Sequence, residues 1–182
     1  MNITLTHRDQ DSQARIDSAI EFATIKHAGQ FRKYTGNEYI THPITVAHIV
    51  SHYTDDADMI IAAILHDVQE DCDVTNDELK ELFGDDVSYM VEGLTHTYIG
   101  NRAQRKHETN LKLQAYDNRV KTIKIADNLH NLGSVMKYDE KFAMTFVKEA
   151  ITMRESLHGG DAILMGKLTA VLESARIRFN IT

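Results

Sequence analysis

Apolar residues recur every three to four positions along almost the whole chain, and the strict alternation of half-buried strands is nearly absent. That periodicity predicts helices. The first runs from near Asp11 to His27, turning Ile16, Ala19, Ile20, Phe22 and Ala23 inward, with Gly29 as its stop. Thr41-His42-Pro43 reads as the next start, because proline gives up no hydrogen bond in an opening turn. Asp56 or Asp58 opens a third helix that carries the apolar run from Met59 to Leu65 into His66-Asp67. Thr75-Asn76-Asp77-Glu78 has the spacing of a capping box, and Gly84 closes the short helix behind it. Asp85 or Asp86 starts another, with Val87, Met90, Val91 and Leu94 on one face. A helix over Arg102 to Ala115 follows, and Asp117 caps one that carries Val120, Ile123, Ile125, Ala126, Leu129 and Leu132. Asp139 and Asp161 open two long amphipathic runs separated by Gly159-Gly160, and Met136, Met144, Met153 and Met165 read as core filler. The sum is an all-α fold: a single bundle of about eight or nine helices over residues 1–182.

Composition narrows the setting. A chain of 182 residues, 42% apolar and 26% charged, suits one globular domain with a core of its own. The single cysteine, Cys72, excludes an internal disulfide and fits a reducing, cytoplasmic location. The opening MNITLTHRDQDS lacks the basic-then-apolar order of a secretory leader. The longest apolar run, MIIAAIL, falls far short of the roughly 20 residues that cross a bilayer. A net charge of −7 argues against a nucleic-acid backbone as partner, so a small molecule is expected, with homo-oligomerisation left open.

Candidate chemistry concentrates in His42, the adjacent pair His66-Asp67, and Asp127, drawn from three separate segments. Imidazole mixed with carboxylate oxygen suits a first-row divalent ion such as Mn²⁺, Fe²⁺ or Zn²⁺ better than Ca²⁺. Asp127 sits mid-helix after Ile123-Lys124-Ile125-Ala126, where an unpaired carboxylate would be costly if buried and a metal would remove the cost. Continued helix would place Glu70 one turn beyond His66 and Asp71 one turn beyond Asp67, an acidic pair that beside a cation can orient a water, hold an outer hydrogen-bond network or take up a proton. The expected chemistry is metal-assisted hydrolysis of a phosphate ester or anhydride. Other candidates have plainer readings. His48 and His52, spaced i,i+4, read as an exposed helix face; His27 reads as structural; Cys72 has no evident activating partner and reads as an inert thiol.

The segments HAGQFRKYTGNEYITHPITVAHIV, AAILHDVQED, FGDDVSYMVEGLTH, NRAQRK and VKTIKIADNLHNL resemble, in order and spacing, the motifs of RelA/SpoT-type alarmone hydrolase domains of the HD superfamily. The resemblance covers about residues 20–136, and the whole length is similar to the short stand-alone forms related to the metazoan SpoT homolog, without length for a synthetase domain or regulatory tail. It implies an HD-type metal-dependent phosphohydrolase domain with C-terminal helices packed on it. It further implies that His42, His66, Asp67 and Asp127 bind Mn²⁺, and that Glu70 and Asp71 are the catalytic acidic pair. Arg32 and Lys33 would flank the guanine, Asn131 would hold the nucleoside, and Ser134 would add a hydroxyl contact. Tyr39 falls in the stretch that matches the family's PYI-x-HP. The implied reaction is hydrolysis of (p)ppGpp to GDP or GTP plus pyrophosphate. Glu38 stands where that family usually has proline, Cys72 where threonine is usual, and Asn128 and Gly133 where basic residues are common. Fewer positive charges weaken phosphate binding there, and Arg102, Arg105 and Lys106 are candidates to replace them. Two rival readings keep the metal: hydrolysis of another nucleotide, such as the 2′-phosphate of NADPH, and alarmone binding without turnover.

Overall fold

The computed structural model describes residues 10–96 and 98–181. The expectation about a leader concerns the first residues, of which 1–9 lie outside those described. Apart from one isolated antiparallel bridge between Phe31 and Glu38, no strand occurs among the described residues, and the fold is all-α. The chain divides into two compact units, Met1–Thr97 and Tyr98–Thr182.

The first unit contains α1 (Gln10–Lys26), α2 (Thr41–Ser51), α3 (Ala57–Leu65), α4 (Val68–Asp71), α5 (Asn76–Phe83) and α6 (Asp85–Leu94). Its centre is α3. The sequence ADMIIAAIL has no polar face after its first turn, and every residue from Met59 to Leu65 is buried. A helix apolar all round must be enclosed, and α1, α2 and α6 pack against it. Asp56 fixes where α3 begins by accepting hydrogen bonds from the backbone N–H groups of Asp58 and Met59. Thr75 caps α5 through the N–H of Glu78. Gly84 ends α5 and precedes α6 at φ +95°, a left-handed backbone that glycine adopts without a Cβ penalty.

The predicted third helix does not run unbroken through the acidic pair. It ends at Leu65, and α4 is a separate four-residue turn starting at Val68. The cause is local: in a continuing helix the Ala63 carbonyl would accept from the N–H of residue 67, but His66 Nδ1 takes that carbonyl at 2.8 Å. This break adds a segment to the expected count, giving ten α-helical segments among the described residues.

The second unit contains α7 (Arg102–Ala115), α8 (Asn118–Tyr138), α9 (Glu140–Arg154), a 3-10 turn (Glu155–Leu157) and α10 (Ala162–Arg178). Helices α8, α9 and α10 pack on one another, and the 3-10 turn touches α7, α8 and α9. Asp117, Asp139 and Asp161 cap their helices as the sequence predicts, each accepting backbone N–H bonds in the first turn. Met153 is buried, but Met144 is 42% exposed, a correction to its reading as core. Ala143, Val147 and Ala150 form the inward stripe of α9, and Met144 lies about 100° around the helix from Ala143. No helix of the described residues is long and apolar enough to cross a membrane.

Candidate metal centre

His42 opens α2 and His66 follows α3, so the packing of those two helices brings their rings together. The ring centroids are 5.1 Å apart, and both residues are buried. Asp67 is half-buried beside them; its Oδ2 lies 3.1 Å from His66 Nε2 and 3.5 Å from His42 Nε2. One donor atom from each residue falls within 4.8 Å of the others.

The hydrogen bond to Ala63 decides what His66 offers. A carbonyl only accepts, so Nδ1 carries the proton and Nε2 presents its lone pair to the cluster. A lone pair facing a carboxylate oxygen at 3.1 Å is repulsive. Either a proton on Nε2 or a cation shared between the two atoms relieves it. Two imidazoles and a carboxylate converging in this way fit a divalent transition ion.

The loop from His27 to Ile40 supplies a fourth group. Backbone hydrogen bonds from Arg32 N to Asn37 O (2.8 Å) and from Tyr39 N to Gln30 O (2.9 Å) fold it back on itself. Tyr39 then donates its hydroxyl to Asp67 Oδ2 at 2.8 Å. Burial, then the charges of Asp67 and Asp71, hold that hydroxyl far above its ordinary pKa, so it remains a donor. The Tyr39 ring lies 4.9 Å from His27 and 5.9 Å from His42, with the Arg32 guanidinium 5.6 Å from its centroid. Lys33 is exposed, its Nζ 3.5 Å from the hydroxyl of Tyr34.

Both acidic candidates sit on α4 in distinct surroundings. Glu70 Oε2 accepts from the backbone N–H of His96 at 3.3 Å and lies 3.0 Å from His96 Nδ1. Asp71 keeps its proton to a higher pH than an ordinary carboxyl, through desolvation first and then the charges of Asp67 and Glu70. Its backbone carbonyl accepts from Gln30 Nε2 at 3.0 Å. That bond orients the Gln30 amide, so Gln30 Oε1 accepts from His27 Nδ1 at 2.7 Å. Cys72 Sγ, 3.2 Å from the same Nδ1, therefore meets an N–H rather than a base, and burial raises its pKa.

Asp127, Asn131 and Ser134 belong to the second unit, on α8. Asp127 is 5% exposed, and both of its oxygens are engaged. Oδ2 accepts from Lys124 Nζ at 2.8 Å and Oδ1 from Asn131 Nδ2 at 2.6 Å. Asn131, expected to hold the nucleoside, thus also holds Asp127. Ser134 lies half-buried, three residues further along. The pairing with Lys124 was missed from the sequence, although i,i+3 spacing inside an apolar run was its signal. Of the substitute cations, Arg102 is committed to Glu149 through its Nε and Nη2, the latter at 2.8 Å, and Arg105 Nη1 donates to the Gly100 carbonyl at 2.6 Å. Lys106 is half-buried, and its pKa is lowered by desolvation and then by the charge of Lys124.

A family model described as an HD domain matches residues 19–152, spanning the two histidines, the His-Asp pair and Asp127. The chain belongs to the HD-domain family. It is 38% identical over 165 residues to the guanosine-3′,5′-bis(diphosphate) 3′-pyrophosphohydrolase MESH1 of Danio rerio, covering 86% of this chain and 92% of that protein. It is also 41% identical over 126 residues to a probable GTP pyrophosphokinase of Mycobacterium leprae and 38% identical over 151 residues to the 3′-pyrophosphohydrolase of Aquifex aeolicus. Those alignments cover 66% and 81% of this HD-domain chain, which spans only 16% and 21% of the longer relatives. Among solved structures, a metazoan ortholog of SpoT that hydrolyzes ppGpp superposes with a TM-score of 0.83 at 28% identity, covering 93% of this chain and 97% of that one. A Listeria monocytogenes protein at 22% identity, with a TM-score of 0.67 over 81% of this chain and 99% of its own, shares the fold.

Proposed function

We propose that this HD-domain chain is a metal-dependent hydrolase that releases pyrophosphate from the 3′ position of (p)ppGpp, with Mn²⁺ as its cofactor. The observation that carries the reading is the buried convergence of His42, His66 and Asp67, with the His66 tautomer set by Ala63. Similarity to MESH1 over 86% of the chain, and to the metazoan ppGpp hydrolase over 93%, supports the substrate. Asp127 completes the ligand set in this proposal. The HD match runs across both compact units, which supports their acting as one functional domain over residues 1–182.

When bound, the cation supplies positive charge that makes water more nucleophilic and offsets negative charge at the phosphoryl group. His42 and His66 would hold it through the Nε2 atoms that face Asp67, and Tyr39 fixes the carboxylate of Asp67 by hydrogen bonding. Glu70 accepts the proton of the attacking water on a carboxylate oxygen. Asp71, which stays protonated to a higher pH than an ordinary carboxyl, suits the complementary donation to the leaving ribose oxygen. The Arg32 guanidinium, its carbon 5.6 Å from the Tyr39 ring centroid, stacks on the guanine ring, while Lys33 meets phosphate as a point charge. Asn131 and Ser134 contact the nucleoside.

Purified protein incubated with ppGpp, pppGpp and NADPH across Mn²⁺, Mg²⁺ and Zn²⁺, with products separated by chromatography, tests the reading. Pyrophosphate with GDP or GTP is expected, fastest with Mn²⁺. Orthophosphate from NADPH alone would move the assignment to that substrate, and tight binding of intact ppGpp would leave a binding protein.

A further inference from the structure

The segment after α6 is fastened to α4 at two consecutive residues. The Thr95 hydroxyl lies 3.0 Å from Gln69 Oε1, and His96 bonds to Glu70 through both its backbone N–H and its ring. Glu70 is exposed and sits on a helix of only four residues, so α4 itself does little to hold its long side chain. His96 is half-buried, with its ring Nδ1 3.0 Å from Glu70 Oε2. A carboxylate oxygen only accepts, so the proton of this contact belongs to Nδ1, and two donors from one residue converge on one oxygen.

We propose that His96 is a positioning residue for Glu70, holding its carboxylate in the rotamer from which it works. The proposal rests on the reading of Glu70 as the proton acceptor of the hydrolytic step. A general base contributes only when its oxygen is within hydrogen-bond reach of the proton it takes, and small misplacements are costly. His96 touches neither substrate nor metal in this role. It restricts Glu70 to one orientation, and the backbone N–H at 96 keeps a second hold whatever the side chain.

The test has a kinetic and a spectroscopic arm. His96→Ala should lower kcat on ppGpp with Mn²⁺ by about 10- to 100-fold, within the range set by misplacing a catalytic group, and leave KM within about twofold. His96→Asn, whose amide nitrogen can reach the place of Nδ1, should recover most of that loss. In a Glu70→Ala background, His96→Ala should change nothing further. Independently of activity, long-range ¹H–¹⁵N NMR of the metal-free protein should show the His96 ring protonated at Nδ1, with that signature altered by Glu70→Ala. An unchanged kcat in His96→Ala, the same loss in both backgrounds, or a ring signature indifferent to Glu70 would each overturn the proposal. Should no nucleotide be cleaved by the wild-type protein, the functional reading fails alone, and the NMR comparison still decides whether His96 holds Glu70.

Discussion

Replacing Tyr39 with Phe removes one oxygen atom and leaves the ring between His27 and His42 in place. The hydroxyl donates to Asp67 Oδ2 at 2.8 Å, the oxygen nearest both histidine Nε2 atoms. Two effects oppose each other. A hydrogen bond to a charged group contributes about 1.5–3 kcal/mol, and it stabilises the metal-free carboxylate more than one whose charge a cation already shares, so its loss alone would favour binding. Against this, the hydroxyl fixes the plane and rotamer of Asp67, and removing such an outer partner typically weakens metal affinity about 10- to 100-fold. Because most of the electrostatic part is common to both states, orientation should win. The Kd for Mn²⁺, measured by titration calorimetry on metal-stripped protein, should rise about tenfold, or about 1.4 kcal/mol. The thermal midpoint of the metal-free variant controls for folding. An affinity equal to wild type, or tighter, would refute the ordering role given to Tyr39.

Other expectations follow from the same geometry. Lys124→Met removes the ammonium that bonds Asp127 Oδ2 and leaves Asn131 on Oδ1. Breaking a buried pair costs about 3–5 kcal/mol, so the metal-free protein should melt markedly lower, with Mn²⁺ recovering part of the loss in a thermal-shift titration. Asp71 has a folded-state pKa above its unfolded value, so its contribution to stability is present below the unfolded pKa and lost as pH rises through the folded one. Asp71→Asn should therefore raise the midpoint of the metal-free protein near neutral pH, with no gain below about pH 3.9, where the unfolded carboxyl is also protonated. Ile64→Ala empties a fully buried site on α3 and should cost about 2–5 kcal/mol in chemical denaturation.

What could be read from the sequence was local in origin. Asp56, Thr75, Asp117, Asp139 and Asp161 announce helix starts because each bonds to N–H groups two or three residues away. The apolar run of α3 announces the buried centre of its unit for the same reason. Interactions across long separations left no periodic trace: Tyr39 reaches Asp67 over 28 residues, and Arg102 meets Glu149 over 47. The end of α3 at Leu65 was hidden differently. It depends on a ring nitrogen competing with the backbone for one carbonyl, which spacing alone does not reveal. Residue types picked out the candidate ligands His42, His66 and Asp67, whose donor atoms converge, but the tautomer that gives His66 a usable lone pair needed the Ala63 contact.

In the proposed reaction the His42, His66 and Asp67 cluster holds a cation that turns water against the 3′-diphosphate ester of a nucleotide. The most direct measurement is product analysis of ppGpp incubated with Mn²⁺ and either wild-type protein or the Asp67→Asn variant, with bound metal quantified in both. The wild type should give GDP and pyrophosphate, and the variant should lose both metal and turnover. Undiminished cleavage by a variant stripped of metal would contradict it.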